Sequence, residues 1–179
     1  MKHTYKPLFV TVLGCALFYG TSYGAAASGS TVDWTPLLTS WEDGCAQSEE
    51  WNELRRNLVT YPEGSLYPEV NEIVLPDAYK EALGEIDFFE RNQDYSGYRL
   101  TAKNGEYYGL PVDSFVFYFG NSNGLNVLLV EFSGSIADVK ERLSSVEYSL
   151  VNHDSGPYQA QLINDEQTGK AMLMCDLSV

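Results

Sequence analysis

Ser114-Phe-Val-Phe-Tyr-Phe-Gly-Asn-Ser-Asn-Gly-Leu-Asn-Val-Leu-Leu-Val-Glu-Phe-Ser133 is the stretch that decides the fold. Two apolar runs flank Asn123-Gly124. Asn-Gly is the strongest short hairpin signal, because a type I′ turn needs φ > 0 at both central residues. A turn there sets Ser122 opposite Leu125, Phe119 opposite Leu128, Phe117 opposite Val130 and Phe115 opposite Phe132. Strand side chains alternate, so these aromatic and aliphatic pairs share one face. A slip of one residue would turn all of them over. The other face carries Val116, Tyr118, Val127 and Leu129. A hairpin apolar on both faces is expected in the middle of a sheet.

Outward from it, residues 98–103 and 106–110 flank Asn104-Gly105 and predict a second type I′ hairpin. Residues 158–163 and 170–177 predict a third, around a loop at 164–169. In its last strand Leu173, Cys175 and Leu177 alternate with Met172, Met174 and Asp176, so Cys175 faces the core. Helical signals surround the hairpins. Ser48 can cap a helix over 48–59, with Glu49 and Glu50 in its first turn and Arg55 and Arg56 near its end. Trp51, Leu54 and Leu58 fall on one face of it. Pro36 suits the first turn of a short helix over 33–38, and Pro76 starts another over 77–83. Ser135 and Asp138 form a capping box before the stripe Ile136, Val139, Leu143. Residues 61–76 hold three prolines and read as an irregular connection. Residues 85–94 show no decisive period. The pattern predicts a single α+β domain over 25–179: an antiparallel sheet of about six strands built from three hairpins, with helices packed on one face.

The first 24 residues read as a signal peptide. Lys2, His3 and Lys6 form a basic start, an apolar run covers 8–19, and small residues surround Gly24. A rival reading is a lipobox at Val12-Leu13-Gly14-Cys15, with Cys15 lipidated. Cleavage near Gly24 removes Lys2, Lys6 and no acid. It leaves nine basic and 25 acidic residues, a net charge of −16. That charge argues against nucleic acid or an anionic membrane as partner and suits a basic protein. Cleavage also removes Cys15. Cys45 and Cys175 remain, and in an oxidising periplasm the expectation is one disulfide between them.

Catalytic patterns are few. Gly120-Asn121-Ser122-Asn123-Gly124 is a literal G-x-S-x-G, followed by Asp138 and His153 in the order of α/β-hydrolases. A nucleophile elbow needs a helix after the turn, and strand follows here, so a secreted serine esterase is the weakest of the readings. His153 is the sole histidine after cleavage, and the acidic loop at 164–169 lacks EF-hand spacing, so no metal and no cofactor is expected. The chain has 13 tyrosines, Tyr107 and Tyr108 among them, a residue type enriched at interfaces.

A leader, strong acidity, the pair Cys45 and Cys175 and loop tips such as 121–124 together resemble the periplasmic immunity proteins that protect bacteria against type VI secretion effectors. The chain is similar in the same general way to periplasmic lysozyme inhibitors. The resemblance implies inhibition of a toxin or cell-wall-degrading enzyme by occlusion of its active site, and it carries over no residue assignment. The residues themselves nominate Asn121, Ser122 and Asn123 as partner contacts, with His153 and Asp154 second and Tyr107 and Tyr108 as aromatic contacts. The alternative function is a periplasmic carrier of a small ligand or lipid, which would need a cavity between sheet and helices.

Overall fold

A computed structural model of the chain describes residues 31–60, 63, 69–71, 75–91, 93–166 and 168–179. The leader at 1–24, Cys15 and most of the connection at 61–76 lie outside the described residues. Strand β1 (Val32–Asp33) leads into helix α1 (Thr35–Leu38), with Pro36 in its first turn where no backbone donor is required. A 3₁₀ turn (Thr39–Glu42) follows and buries Trp41. Helix α2 (Glu49–Leu58) is capped as its sequence implies: the Trp51 amide donates to Ser48 Oγ at 3.2 Å. Its Trp51, Leu54 and Leu58 are buried. Strands β2 (Val59–Thr60) and β3 (Glu69–Val70) form a small separate ribbon. Helix α3 (Asp77–Glu81) begins after Pro76.

The sheet follows. Its strands are β4 (Leu83–Arg91), β5 (Tyr95–Ala102), β6 (Gly105–Tyr107), β7 (Leu110–Gly120) and β8 (Asn126–Phe132). Helix α4 (Ile136–Arg142) comes next, with the Asp138 amide donating to Ser135 Oγ. Strands β9 (Val151–His153) and β10 (Gly156–Tyr158) make a detached hairpin, and β11 (Gln161–Asn164) and β12 (Ala171–Asp176) return to the sheet. The order is β4-β5-β7-β8-β12-β11, all antiparallel. Beside the first residues of β7 lies β6, and β1 pairs with β6 in parallel. The described sheet therefore has eight strands where about six were expected. The difference is made by β1 and β4, neither of which belongs to the three expected hairpins.

Two hairpin expectations need correction. Strands β7 and β8 do pair, but Phe119 faces Asn126, Phe117 faces Leu128 and Phe115 faces Val130. The register differs from the expected one by two residues, which keeps every side chain on its face. The connection is a longer loop, 121–125, in which Gly124 has positive φ and Asn123 does not, so no type I′ turn forms at Asn123-Gly124. The second hairpin also lies elsewhere. Strand β5 pairs with β4 and β7, and β6 pairs with β7. The two-residue turn that closes β6 onto β7 is Tyr108-Gly109, with φ positive at both positions, 49° and 73°.

The four helices of the described residues pack on one face of the sheet. Trp34, Leu38, Trp41, Trp51, Leu54 and Leu58 meet Phe115, Phe117, Leu128, Val130, Phe132 and Leu173 there, and Val139 of α4 and Tyr79 of α3 join them. Trp51 lies edge-on to Phe115 and stacks on Phe117, at centroid distances of 5.1 and 5.8 Å. Cys45 and Cys175 are joined by a disulfide within this core, with Cα atoms 5.6 Å apart. The other face carries a smaller cluster of Val116, Leu129 and Met172, ringed by Tyr118, Val127, Ile163 and Met174.

Candidate functional site at the Gly120–Asn126 end of the sheet

The loop at 121–125 is tied down at several points. The Gly120 amide donates to the Leu125 carbonyl at 2.8 Å, and the Leu125 amide donates to Asn123 Oδ1 at 3.1 Å. The Asn121 amide donates to the Asp94 carbonyl at 2.8 Å, and Asn121 Nδ2 donates to the Gln93 carbonyl at 2.9 Å. From the other side the Val179 amide donates to the Gly124 carbonyl at 3.2 Å. Asn121, Ser122 and Asn123 remain exposed. A loop fixed in this way loses little conformational freedom when it docks.

Two hollows flank it. One, of about 430 Å³, is lined by Arg55 and Arg56 of α2, Tyr98, Phe119 and the segment 124–126. Arg55 Nη1 donates to Asn126 Oδ1 at 3.0 Å, and its guanidinium carbon lies 5.9 Å from the centre of the Phe119 ring. Burial pulls the Arg55 pKa below its ordinary value. The neighbouring Tyr98 counters that and Arg56 adds to it. The second hollow, of about 320 Å³, lies beyond Val179 and takes in Gln47, Asn52, His153 and Tyr158. The His153 ring sits 5.5 Å from that of Tyr158. Asp154 is exposed in the β9–β10 turn. The C-terminal segment thus places the loop at 121–125 and His153 on the same end of the molecule.

Tyr107 and Tyr108 are at the other end of β7, about 30 Å away at ordinary strand rise. Tyr107 is buried. Its hydroxyl lies 3.3 Å from both Glu42 Oε1 and the Tyr148 hydroxyl. Tyr108 OH donates to Glu42 Oε1 at 2.8 Å, and its amide donates to Thr35 Oγ1 at 3.1 Å. Burial raises the pKa of Tyr107 well beyond the phenol range, reinforced by the hydrogen bond to Tyr148. Burial also raises Tyr148, to about 12: the Tyr107 hydrogen bond opposes the shift and the Glu42 charge adds to it. This cluster ties Thr35 and Glu42 to the β6–β7 turn, and it is separate from the loop site.

Of the hydrolase pattern, Ser122 precedes β8 and Asp138 lies on the helix that follows it, so β8 separates them. Strand follows the Gly120–Gly124 pattern, and the strand-turn-helix of a nucleophile elbow is not formed there. The polar group on the sheet face opposite the helices is internally matched. Arg99 grips Glu131 through two contacts of 2.9 and 3.2 Å. Ser114 Oγ donates to the same carboxylate at 2.5 Å, and Lys170 Nζ lies 3.8 Å from it. Lys170 also meets Asp113 at 2.9 Å. Burial raises the Asp113 carboxyl, but the Ser133 hydroxyl and Lys170 outweigh it and hold the group below the usual range. Among the described residues no cluster of His, Cys, Asp and Glu is suited to a metal ion.

Sequence reasoning placed an exposed turn at 121–125, where the structure has one, and passed over the Arg55 hollow. The available signal was Arg55-Arg56, a doubled cation in a chain with 11 basic and 25 acidic residues. No family model matches the chain, and no curated protein or solved structure is significantly similar to it.

Proposed function

We propose that the protein is an exported inhibitor that binds a basic cell-wall-degrading enzyme or secreted effector and occludes its active site with the loop at 121–125. The observation that carries this reading is the loop itself: an exposed polar tip, Asn121-Ser122-Asn123, held by hydrogen bonds to the β4–β5 connection and to the C-terminal segment. Rigid loops on a scaffold are the common way to present such a tip. The disulfide and the net charge of −14 for the whole chain favour it further, since negative charge accelerates encounter with a basic partner.

The test is inhibition. The protein is titrated into peptidoglycan-hydrolysis assays of basic cell-wall hydrolases, and of any toxin-like effector encoded beside its gene. Stoichiometric inhibition of one of them is expected, weakened at least about tenfold when Asn121→Arg and Ser122→Arg are combined and slowed in association by salt. Ser122→Ala should leave inhibition unchanged. If none is inhibited the reading fails. If the double variant folds and inhibits as before, the loop is not the contact.

A further inference from the structure

The hollow beside Arg55 has chemistry that loop docking does not use. Arg55 is partly buried, and among the described residues no carboxylate lies within 4 Å of it or of Arg56. In a chain with 25 acids against 11 bases that is unusual. A guanidinium carries five donors, and the Asn126 side chain takes one of them at 3.0 Å. Asn126 is itself fixed: its amide donates to Ser178 Oγ at 3.0 Å, and its carbonyl accepts from the Leu177 amide at 2.8 Å. The Phe119 ring lies against the guanidinium at 5.9 Å. Arg56 lines the same hollow and is tethered by donating Nε to the Asn52 carbonyl at 3.2 Å. Phe119, Tyr98 and Leu125 supply apolar wall, and the volume of about 430 Å³ falls within the range of small-ligand sites.

We propose that this hollow binds an organic carboxylate, with the acid group on the free edge of Arg55 and an apolar body against Phe119 and Leu125. The planar fork of arginine matches a carboxylate in two parallel hydrogen bonds. The surrounding charge selects among anions. A net charge of −14 opposes a dianion such as phosphate twice as strongly as a monoanion, and only an apolar body gains from the ring and the leucine. A free aromatic acid and the carboxyl terminus of a peptide both carry this chemistry. The inference does not rest on the docking reading, and its test uses no protein partner.

The experiment is calorimetric titration of the intact protein with 4-phenylbutyrate, with N-acetyl-alanyl-phenylalanine, with the amide of each, and with inorganic phosphate. At least one acid should bind with a dissociation constant of about 1 mM or tighter, and its amide at least about tenfold more weakly. Binding of the peptide acid alone would identify a chain terminus as the ligand, and binding of phenylbutyrate would identify a free acid. Arg55→Gln should lose about the same factor as the amide, and Arg55→Lys should recover part of it. In two-dimensional NMR the Arg55 side-chain NH and the Leu125 and Asn126 amides should shift on titration. The proposal is overturned if acid and amide bind alike, if neither acid binds, or if phosphate binds more tightly than both. These comparisons on the unaltered protein decide the matter even if a variant fails to fold.

Discussion

Gly105 lies against the indole of Trp34, and a Cβ at that position would stand far inside van der Waals contact with Trp34 Nε1. The glycine of Asn104-Gly105 is therefore required by a close approach, whereas the sequence reading assigned it to a turn. Gly105→Ala should destabilise the fold by about 1–3 kcal/mol in urea unfolding, because Trp34 is buried and has no room to retreat. The true type I′ turn, Tyr108-Gly109, was illegible because tyrosine is not a turn former. Its hydroxyl on Glu42 and its amide on Thr35 hold it at φ 49°, and both are tertiary contacts. The same cluster sets a pH dependence. Tyr107 and Tyr148 ionise at higher pH folded than the ordinary phenol value of 10.0. Their neutral forms support the fold fully below pH 10. That support declines from pH 10 upward, to about pH 12 for Tyr148, at about 1.4 kcal/mol per pH unit for each residue. Unfolding free energies measured from pH 8 upward should show this decline, and Tyr107→Phe with Tyr148→Phe should flatten it.

The pairing of β7 with β8 shows what periodicity can and cannot establish. Phe115, Phe117, Leu128 and Val130 were assigned to one face, and they are buried together on it. The register moved by two residues because the loop at 121–125 closes through Asn123 and Gly124 over a longer path than a two-residue turn. Strand β4 was not legible. Irregularities between Leu83 and Ile86 and between Phe88 and Glu90 interrupt the alternation a strand is recognised by. Helices α2 and α4 were legible from their caps, since Ser48 and Ser135 act within their own turns. Ser135→Ala should cost about 1 kcal/mol in thermal or chemical unfolding. At the junction of β5, β7 and β8, Glu131→Ala leaves Arg99 and Lys170 without their shared carboxylate. The expected loss is about 2 kcal/mol, less than the roughly 3–5 kcal/mol of a fully buried pair, because both cations keep water.

Across the whole molecule, the α+β class and the one-sided helical cover were readable from face patterns, and the Cys45–Cys175 pairing from setting Cys15 aside with the expected leader. The geography of the candidate residues was not. Asn121 and Tyr108 both border β7 and lie at its two ends, and only the finished sheet decides which loops become neighbours. The want of an acid beside Arg55 among the described residues is likewise a property of packing. Replacing both bridging cysteines with alanine should lower unfolding free energy by about 4–5 kcal/mol, the chain-entropy value for closing a loop of this length. Denaturant titration of the double variant measures it, and a loss under about 1 kcal/mol would mean the core alone sets the stability.

That covalent link also decides how the molecule responds to pulling. Tension applied between residue 31 and residue 179 passes from Cys45 directly to Cys175 and bypasses the chain between them, a separation of 130 residues. An oxidised molecule stretched between these two points should yield only the short tethers 31–45 and 175–179. Reduction should release a further extension of roughly 450 Å at about 3.5 Å per residue. A translocase or protease hauling on one terminus of the oxidised protein would meet a closed ring instead of a thread.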